Sequence, residues 1–362
     1  MSGFLGMMFP GGGSGGLPSI TPSTYVAFGG TTAAKRISVY GWDSTSGFGS
    51  LFTTPSIPNN ISQVSFVRDN SVFSASFVAA PYFSVWQWSG LGFGTQYSNP
   101  GSSLSPSSGG PAGFTWTKTV DAILTSNATA VSYPQAWAWS QSGGFGSKYS
   151  NGSALNSTGA TSGIAINDAN TQVAFTQNTS PVISLYPWSS LTGFGTKYAN
   201  PTNIPVGAPY AGSVTFNSVT NDLALGLYAN RPFVAAYSVT PTGFGSKYAD
   251  PANAYQIGAV FSMRFAPDGA TLAVTNNSTP NVLRLYQWGG GFGSLYSGPS
   301  LLQPVVSADW SSTGSEIVSA QVTTSPYTKA FPWTSGGVGS AYSNPGTAPG
   351  VPNCVSFSNQ TR

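Results

Sequence analysis

The sequence predicts an all-β fold, a seven-bladed β-propeller of four-stranded antiparallel blades whose ring is closed by a C-terminal strand joining the N-terminal blade. Three observations lead there. A Gly-Phe-Gly step recurs at Gly47-Phe48-Gly49, Gly92-Phe93-Gly94, Gly144-Phe145-Gly146, Gly193-Phe194-Gly195, Gly243-Phe244-Gly245, Gly291-Phe292-Gly293 and, with one change, Gly337-Val338-Gly339. Its central positions 48, 93, 145, 194, 244, 292 and 338 are separated by 45, 52, 49, 50, 48 and 46 residues, a period found in propellers and other arrays. The apolar pattern between the steps alternates with period two, and the two chain ends carry complementary fragments of one repeat.

Residues 1–22 stand apart from the repeats. Gly11-Gly-Gly-Ser-Gly-Gly16 is a flexible linker by composition, and it tethers an apolar tip with Phe4, Leu5, Met7, Met8 and Phe9. Such a tip is costly in water unless something covers it: these five residues are expected to anchor the chain in a partner, the alternatives being a tip folded back onto the ring or left disordered. Residues 23–362 are expected to form the propeller.

Each unit opens with a short strand that ends in an aromatic or apolar residue: Val64-Ser-Phe66, Phe114-Thr-Trp116, Ile164-Ala-Ile166, Val214-Thr-Phe216, Met263-Arg-Phe265 and Ala308-Asp-Trp310. A polar turn comes next, clearest at Ala266-Pro-Asp-Gly269, and then a second alternating strand such as Gln172-Val-Ala-Phe175. The third strand carries two large residues two apart, as in Tyr40 and Trp42, Trp86 and Trp88, or Trp137 and Trp139, which places both on one sheet face. The fifth unit departs, with Tyr237 followed by Val239. The Gly-Phe-Gly turn leads into a fourth strand through a Tyr, often ended by Asn-Pro or Asp-Pro, where proline suits an outermost edge.

The first unit begins at its second strand, Tyr25-Val-Ala-Phe28, whereas the chain ends on a first strand, Val351-Pro-Asn-Cys-Val-Ser-Phe357. Residues near 354–358 are therefore expected to be the inner strand of the blade formed by residues near 24–55. Closure of this kind removes open sheet edges.

Composition narrows the chemistry. The 362 residues include no histidine, one glutamate (Glu316) and one cysteine (Cys354), and only 6% are charged, with a net charge of +3. Histidine-based triads and nearly all zinc sites are excluded, and the lone cysteine has no disulfide partner and reads as a small buried apolar residue. The scattered basic residues form no nucleic-acid patch, and no run is long and apolar enough to span a membrane. The first ten residues lack the basic segment of a secretory signal. No catalytic, cofactor-binding or metal-ligating residue is assigned.

Other candidates have plainer readings. Gly-Phe-Gly-Ser-Lys lacks the spacing and the helix of a phosphate loop. Lys148, Lys197 and Lys247 recur in three adjacent units and read as a solvated outer arc. Asp69, Asp168, Asp222 and Asp268 read as turn residues that bond their own backbone. The regular aromatics read as packing between blades. Tyr82, Tyr133, Tyr210, Tyr228 and Tyr255 lie outside the repeating positions and are the better candidates for a surface contact.

The inner Val-x-Phe strand, the Ala-Pro-Asp-Gly turn and the aromatic-x-Trp strand resemble the WD-repeat class of propellers. Only Trp42-Asp43 keeps the Trp-Asp pair, and the hydrogen-bonded tetrad of that class is not carried over because it requires histidine. The histidine-free, Gly/Ser/Thr/Asn-rich composition and the glycine-tethered tip resemble structural proteins of tailed bacteriophage particles. That resemblance implies a non-enzymatic virion component, capsid- or tail-associated and present in multiple copies, whose arm docks on other virion proteins. The alternative is a carbohydrate-binding propeller that recognises a host-surface glycan or protein.

Overall fold

A computed structural model describes residues 24–100, 113–126, 134–150, 161–204, 211–228, 232–252, 258–276, 282–299, 301 and 303–358. The apolar tip, with Phe4, Leu5, Met7, Met8 and Phe9, lies outside the described residues, as do Tyr133, Tyr210 and Tyr255.

Seven four-stranded antiparallel sheets form a ring. The first blade is β1 (Thr24–Gly30), β2 (Ile37–Asp43) and β3 (Gly47–Leu51), completed by β28 (Pro352–Phe357). The second runs from β4 (Ile61–Phe66) through β5 (Val72–Phe77) and β6 (Phe83–Ser89) to β7 (Gly92–Gln96). The third is β8 (Phe114–Trp116), β9 (Ala122–Thr125), β10 (Gln135–Ser140) and β11 (Gly144–Lys148). The fourth is β12 (Thr161–Ile166), β13 (Gln172–Gln177), β14 (Ile183–Ser189) and β15 (Gly193–Phe194). The fifth is β16 (Ala211–Phe216), β17 (Leu223–Leu227), β18 (Val234–Thr240) and β19 (Gly243–Lys247). The sixth is β20 (Val260–Phe265), β21 (Thr271–Asn276), β22 (Leu283–Trp288) and β23 (Phe292–Leu295). The seventh is β24 (Val305–Trp310), β25 (Glu316–Gln321), β26 (Thr328–Thr334) and β27 (Gly337–Val338).

The predicted closure is present. β28 pairs antiparallel with β1, with Val26 opposite Phe357 and Phe28 opposite Val355. Tyr25 N–H donates to Ser358 Oγ at 2.6 Å, so the seam is held by backbone and side chain together.

The core lies between blades rather than within them. Among the described residues, seven buried apolar clusters each draw side chains from two neighbouring sheets; one joins Ala122 and Leu124 of the third blade to Phe175, Tyr186 and Trp188 of the fourth. A sheet that is apolar on both faces has no stable life alone, which is why the repeat must continue until it closes.

The Gly-Phe-Gly step has a physical explanation in this packing. Its Phe pairs across the strands with the Trp of the third strand, as in Trp139 opposite Phe145 and Trp188 opposite Phe194, ring centroids 5.1 and 4.9 Å apart. The fourth-strand Tyr of the preceding blade closes over the same turn. Tyr149 lies edge-on to Trp188 at 5.2 Å and donates its hydroxyl to Ser190 O at 2.6 Å. Gly193 has φ +79°, and a Cβ there would stand 3.0 Å from Tyr149 Cβ, so glycine is required by backbone and space alike. The repeat unit is a clasp between blades, whereas its local sequence suggests ordinary hairpin chemistry alone.

Candidate functional site

Alternation along the inner strands leaves one residue of each Val-x-Phe triplet facing the axis. These seven are Ser65, Thr115, Ala165, Thr215, Arg264, Asp309 and Ser356, and all of them line a central cavity of about 280 Å³. Five are small and uncharged. The two charged ones are neighbours: Arg264 Nε lies 3.7 Å from Asp309 Oδ1. The Asp309 side chain is 5% exposed, and its Oδ2 accepts Phe357 N–H at 2.9 Å. Asp309 is thereby fixed to the inner strand of the next blade while its other oxygen faces the guanidinium. A carboxylate this buried is retained because it is both paired and hydrogen-bonded.

The channel has two unlike mouths. Where the inner strands end, Arg68, Lys118 and Asp168 come from three successive blades, with Lys118 Nζ 4.0 Å from Asp168 Oδ1. Where they begin, Ser62, Ser162 and Asn353 share the rim with Phe261 and Val306.

Hydrogen bonds between adjacent inner strands hold the wall in place. Gln63 spans to the third blade, accepting Phe114 N–H at 3.0 Å and donating to Phe114 O at 2.9 Å. Ser213 Oγ accepts Met263 N–H at 3.0 Å, and Ser307 Oγ accepts Val355 N–H at 3.3 Å. The abundant serines thus serve the ring as well as its wetting.

The residues singled out in the sequence are spread around the ring. Lys148 sits 5.6 Å over the Trp137 ring, and burial lowers its ammonium pKa, as it does for Lys197. Lys247 pairs with Asp250. Of the three lysines, Lys247 is the one whose charge is partnered by a neighbouring carboxylate. Asp69 and Asp268 are turn residues as expected, accepting Ser71 N–H and Ala270 N–H at 2.9 Å. Asp222 is not: its carboxylate reaches Thr220 Oγ1, Tyr248 OH and Trp288 Nε1 at 2.6, 2.7 and 3.0 Å. Cys354 is buried, and burial pushes its thiol up to about 12, in keeping with an inert apolar role. Tyr228 is 45% exposed beside the channel rim, and Tyr82 sits at φ +62° in the link between β5 and β6.

Arg264 and Asp309 are not singled out by sequence reasoning. In sequence each is the middle residue of an ordinary inner strand. The signal is nonetheless there, since they are the two charged members of an otherwise neutral set.

No family model matches the chain, and no curated protein matches it. Solved propellers do. A provisionally named 6-phosphogluconolactonase from Bacteroides uniformis superposes with a TM-score of 0.71 at 12% identity, over 92% of this chain and 99% of its own. A second provisionally named 6-phosphogluconolactonase, from Bacteroides fragilis, gives 0.71 at 13% identity, over 94% and 99%. The periplasmic gluconolactonase of Pseudomonas aeruginosa gives 0.69 at 13% identity, over 93% and 99%. At such identity the likeness shows the fold alone, a propeller of this size.

These matches correct the functional expectation from sequence. Propellers that share the ring almost end to end carry lactonase names, so neither a non-enzymatic virion part nor its glycan-recognising alternative follows from this architecture. The non-enzymatic expectation came with the virion resemblance, beside the absence of histidine-based chemistry. A lactone is an ester that water opens unaided, so assisting its hydrolysis does not in principle require histidine.

Proposed function

We propose that the central channel binds a sugar lactone and accelerates its hydrolysis. The observation that supports this reading is the Arg264–Asp309 pair, the one charged couple on the ring of seven axis-facing side chains. The lactonase names of the matched propellers agree with it.

In this reading Arg264 donates to the lactone carbonyl oxygen, where negative charge grows as water adds to the carbonyl carbon. Asp309 orients that water and accepts its proton. The bond from the carbonyl carbon to the ring oxygen then breaks, the ring oxygen recovers the proton, and the product is an open-chain hydroxy acid. Arg264 afterwards faces the product carboxylate. The hydroxyls of Ser65, Thr115, Thr215 and Ser356 offer partners to the sugar hydroxyls around the ring.

The test is proton release from glucono-δ-lactone and from its 6-phosphate in weak buffer, with the spontaneous rate subtracted. Asp309→Asn keeps an acceptor for Phe357 N–H and removes the base, so a fall of about 100-fold or more in kcat is expected. Arg264→Ala is expected to lower kcat/KM by about 100-fold. Wild-type protein that adds nothing to the spontaneous rate on either lactone would overturn the proposal.

A further inference from the structure

Three residues before Arg264 and Asp309, the same two inner strands carry Phe261 and Val306 at the rim of the channel. Tyr228, just beyond β17 in the fifth blade, lies edge-on to Phe261 with ring centroids 5.3 Å apart. It also packs over the start of its own blade's inner strand, where a Cβ on Gly212 would stand 3.7 Å from Tyr228 Cδ2. The Tyr228 side chain is nevertheless among the large apolar groups left exposed, at 45%. Neither residue belongs to the repeating aromatic positions that pack one blade on the next, so the clasp does not account for this pair.

Of the other described positions on that rim, Gly212 carries no side chain and three are polar. Ser62, Ser162 and Asn353 occupy the equivalent positions on other blades. An aromatic and aliphatic wall facing hydroxyl and amide groups matches a pyranose, which presents a C–H face and a hydroxyl edge. Three residues of strand rise about 10 Å, farther than a single pyranose ring reaches. A monosaccharide held at Arg264 would leave the aromatic pair uncovered.

We infer that the ligand is a sugar acid or lactone carrying at least one further glycosyl unit, with the acid end at Arg264 and Asp309 and the adjoining pyranose stacked on Tyr228 and Phe261. This rests on the lactone reading of the channel for the orientation of the chain. It goes beyond that reading by assigning a second subsite and a substrate class of disaccharide size or longer.

Calorimetry with maltobionate and gluconate on the full-length protein measures the subsite without requiring turnover. Maltobionate is expected to bind about tenfold more tightly than gluconate. Tyr228→Ser, at an exposed position, and Phe261→Ala are each expected to bring that ratio close to one; the tyrosine variant keeps the test sound if the phenylalanine variant misfolds. Equal affinities in the wild type, no binding of either acid, or a ratio unmoved by both substitutions would overturn the subsite. Kinetics separate the two claims. Maltobiono- and gluconolactone hydrolysed with the same kcat/KM would leave the lactonase reading standing and sink the subsite. Tighter, Tyr228-dependent binding of maltobionate with no hydrolysis would do the reverse.

Discussion

The interface between the fifth and sixth blades and the one between the third and fourth are built on the same plan with different chemistry at one position. In both, the residue at the start of the second strand, just before Leu223 in one blade and just before Ile123 in the other, faces the third-strand Trp of the next blade. At the fifth-to-sixth interface that residue is Asp222, 4% exposed, and its carboxylate collects Trp288 Nε1–H, Tyr248 O–H and Thr220 O–H. At the third-to-fourth interface it is Ala122, and Trp188 Nε1 is buried with no hydrogen-bond partner. There Tyr149 turns its hydroxyl to Ser190 O instead. Trp42, Trp88 and Trp139 share the condition of Trp188. The clasp is thus carried by ring packing and by a Tyr bond to a backbone carbonyl. Among the described residues a carboxylate also holds the matching position at the seventh-to-first interface, Glu316, but it accepts from Ser315 and leaves Trp42 Nε1 unbonded. The network that gathers Trp and Tyr donors is an addition made at the fifth-to-sixth interface.

The largest expected effect comes from removing that addition. Asp222→Ala strands the buried Trp288 N–H and unpairs the half-buried Tyr248 hydroxyl, and a stranded buried donor costs about 1–3 kcal/mol. We expect a loss of about 3 kcal/mol in unfolding free energy, read from urea melts. Ala122→Gly, at the matching position of the apolar interface, removes one methyl and adds backbone freedom, for about 1–2 kcal/mol. A smaller loss for Asp222→Ala than for Ala122→Gly would show that the carboxylate network contributes little beyond filling space.

Much of this architecture was legible in the sequence, and its limits are instructive. The blade number and the closing strand could be read because Gly-Phe-Gly and the paired aromatics recur at a nearly constant interval, and because Val355 to Phe357 matches Val64 to Phe66. Asp222 could not be told from Asp69 or Asp268, since all three fall in the polar link between a first and a second strand and only the neighbouring blade decides what the carboxylate meets. The Tyr of the fourth strand reads as a strand residue for the same reason: its partner, the next turn, lies 41 residues away in the case of Tyr149. Arg264 and Asp309 lay within local patterns that looked complete. Local chemistry specified the blade, whereas the charged pair of the channel arises only when seven blades bring their middle residues to one axis.

A sharper version of the comparison exchanges the two tryptophans for phenylalanine. Trp288→Phe removes a hydrogen bond to a buried carboxylate and some ring area, so a cost of about 2 kcal/mol is expected. Trp188→Phe removes a similar area but also deletes a buried N–H that had no partner, which offsets part of the loss; about 1 kcal/mol is expected. Urea melts of the single variants measure both. Equal costs would mean that the Trp188 N–H is satisfied in solution and that the two interfaces differ less than their geometry indicates.

The smallest effect is a dependence on alkaline pH. Burial, together with the hydrogen bond to Asp222 and its charge, raises the Tyr248 hydroxyl to about 12, and burial raises Tyr40, Tyr186 and Tyr237 to about 12 as well. A phenol whose folded pKa lies above its unfolded value near 10 is held protonated by the fold. The stability linked to it is intact below about pH 10 and is lost as pH climbs from about 10 through 12. Urea midpoints should therefore be level from about pH 8 to 9.5 and fall steadily above about pH 10. Tyr248→Phe lowers stability at about pH 8 by removing a bond to Asp222, yet it should make the alkaline fall shallower because one of the linked phenols is gone. Tyr149→Phe should flatten it less, since no carboxylate accepts the Tyr149 hydroxyl. If both variants fall in parallel with the wild type, the alkaline transition belongs to the tyrosines inside the blades, and the carboxylate clasp has no part in it.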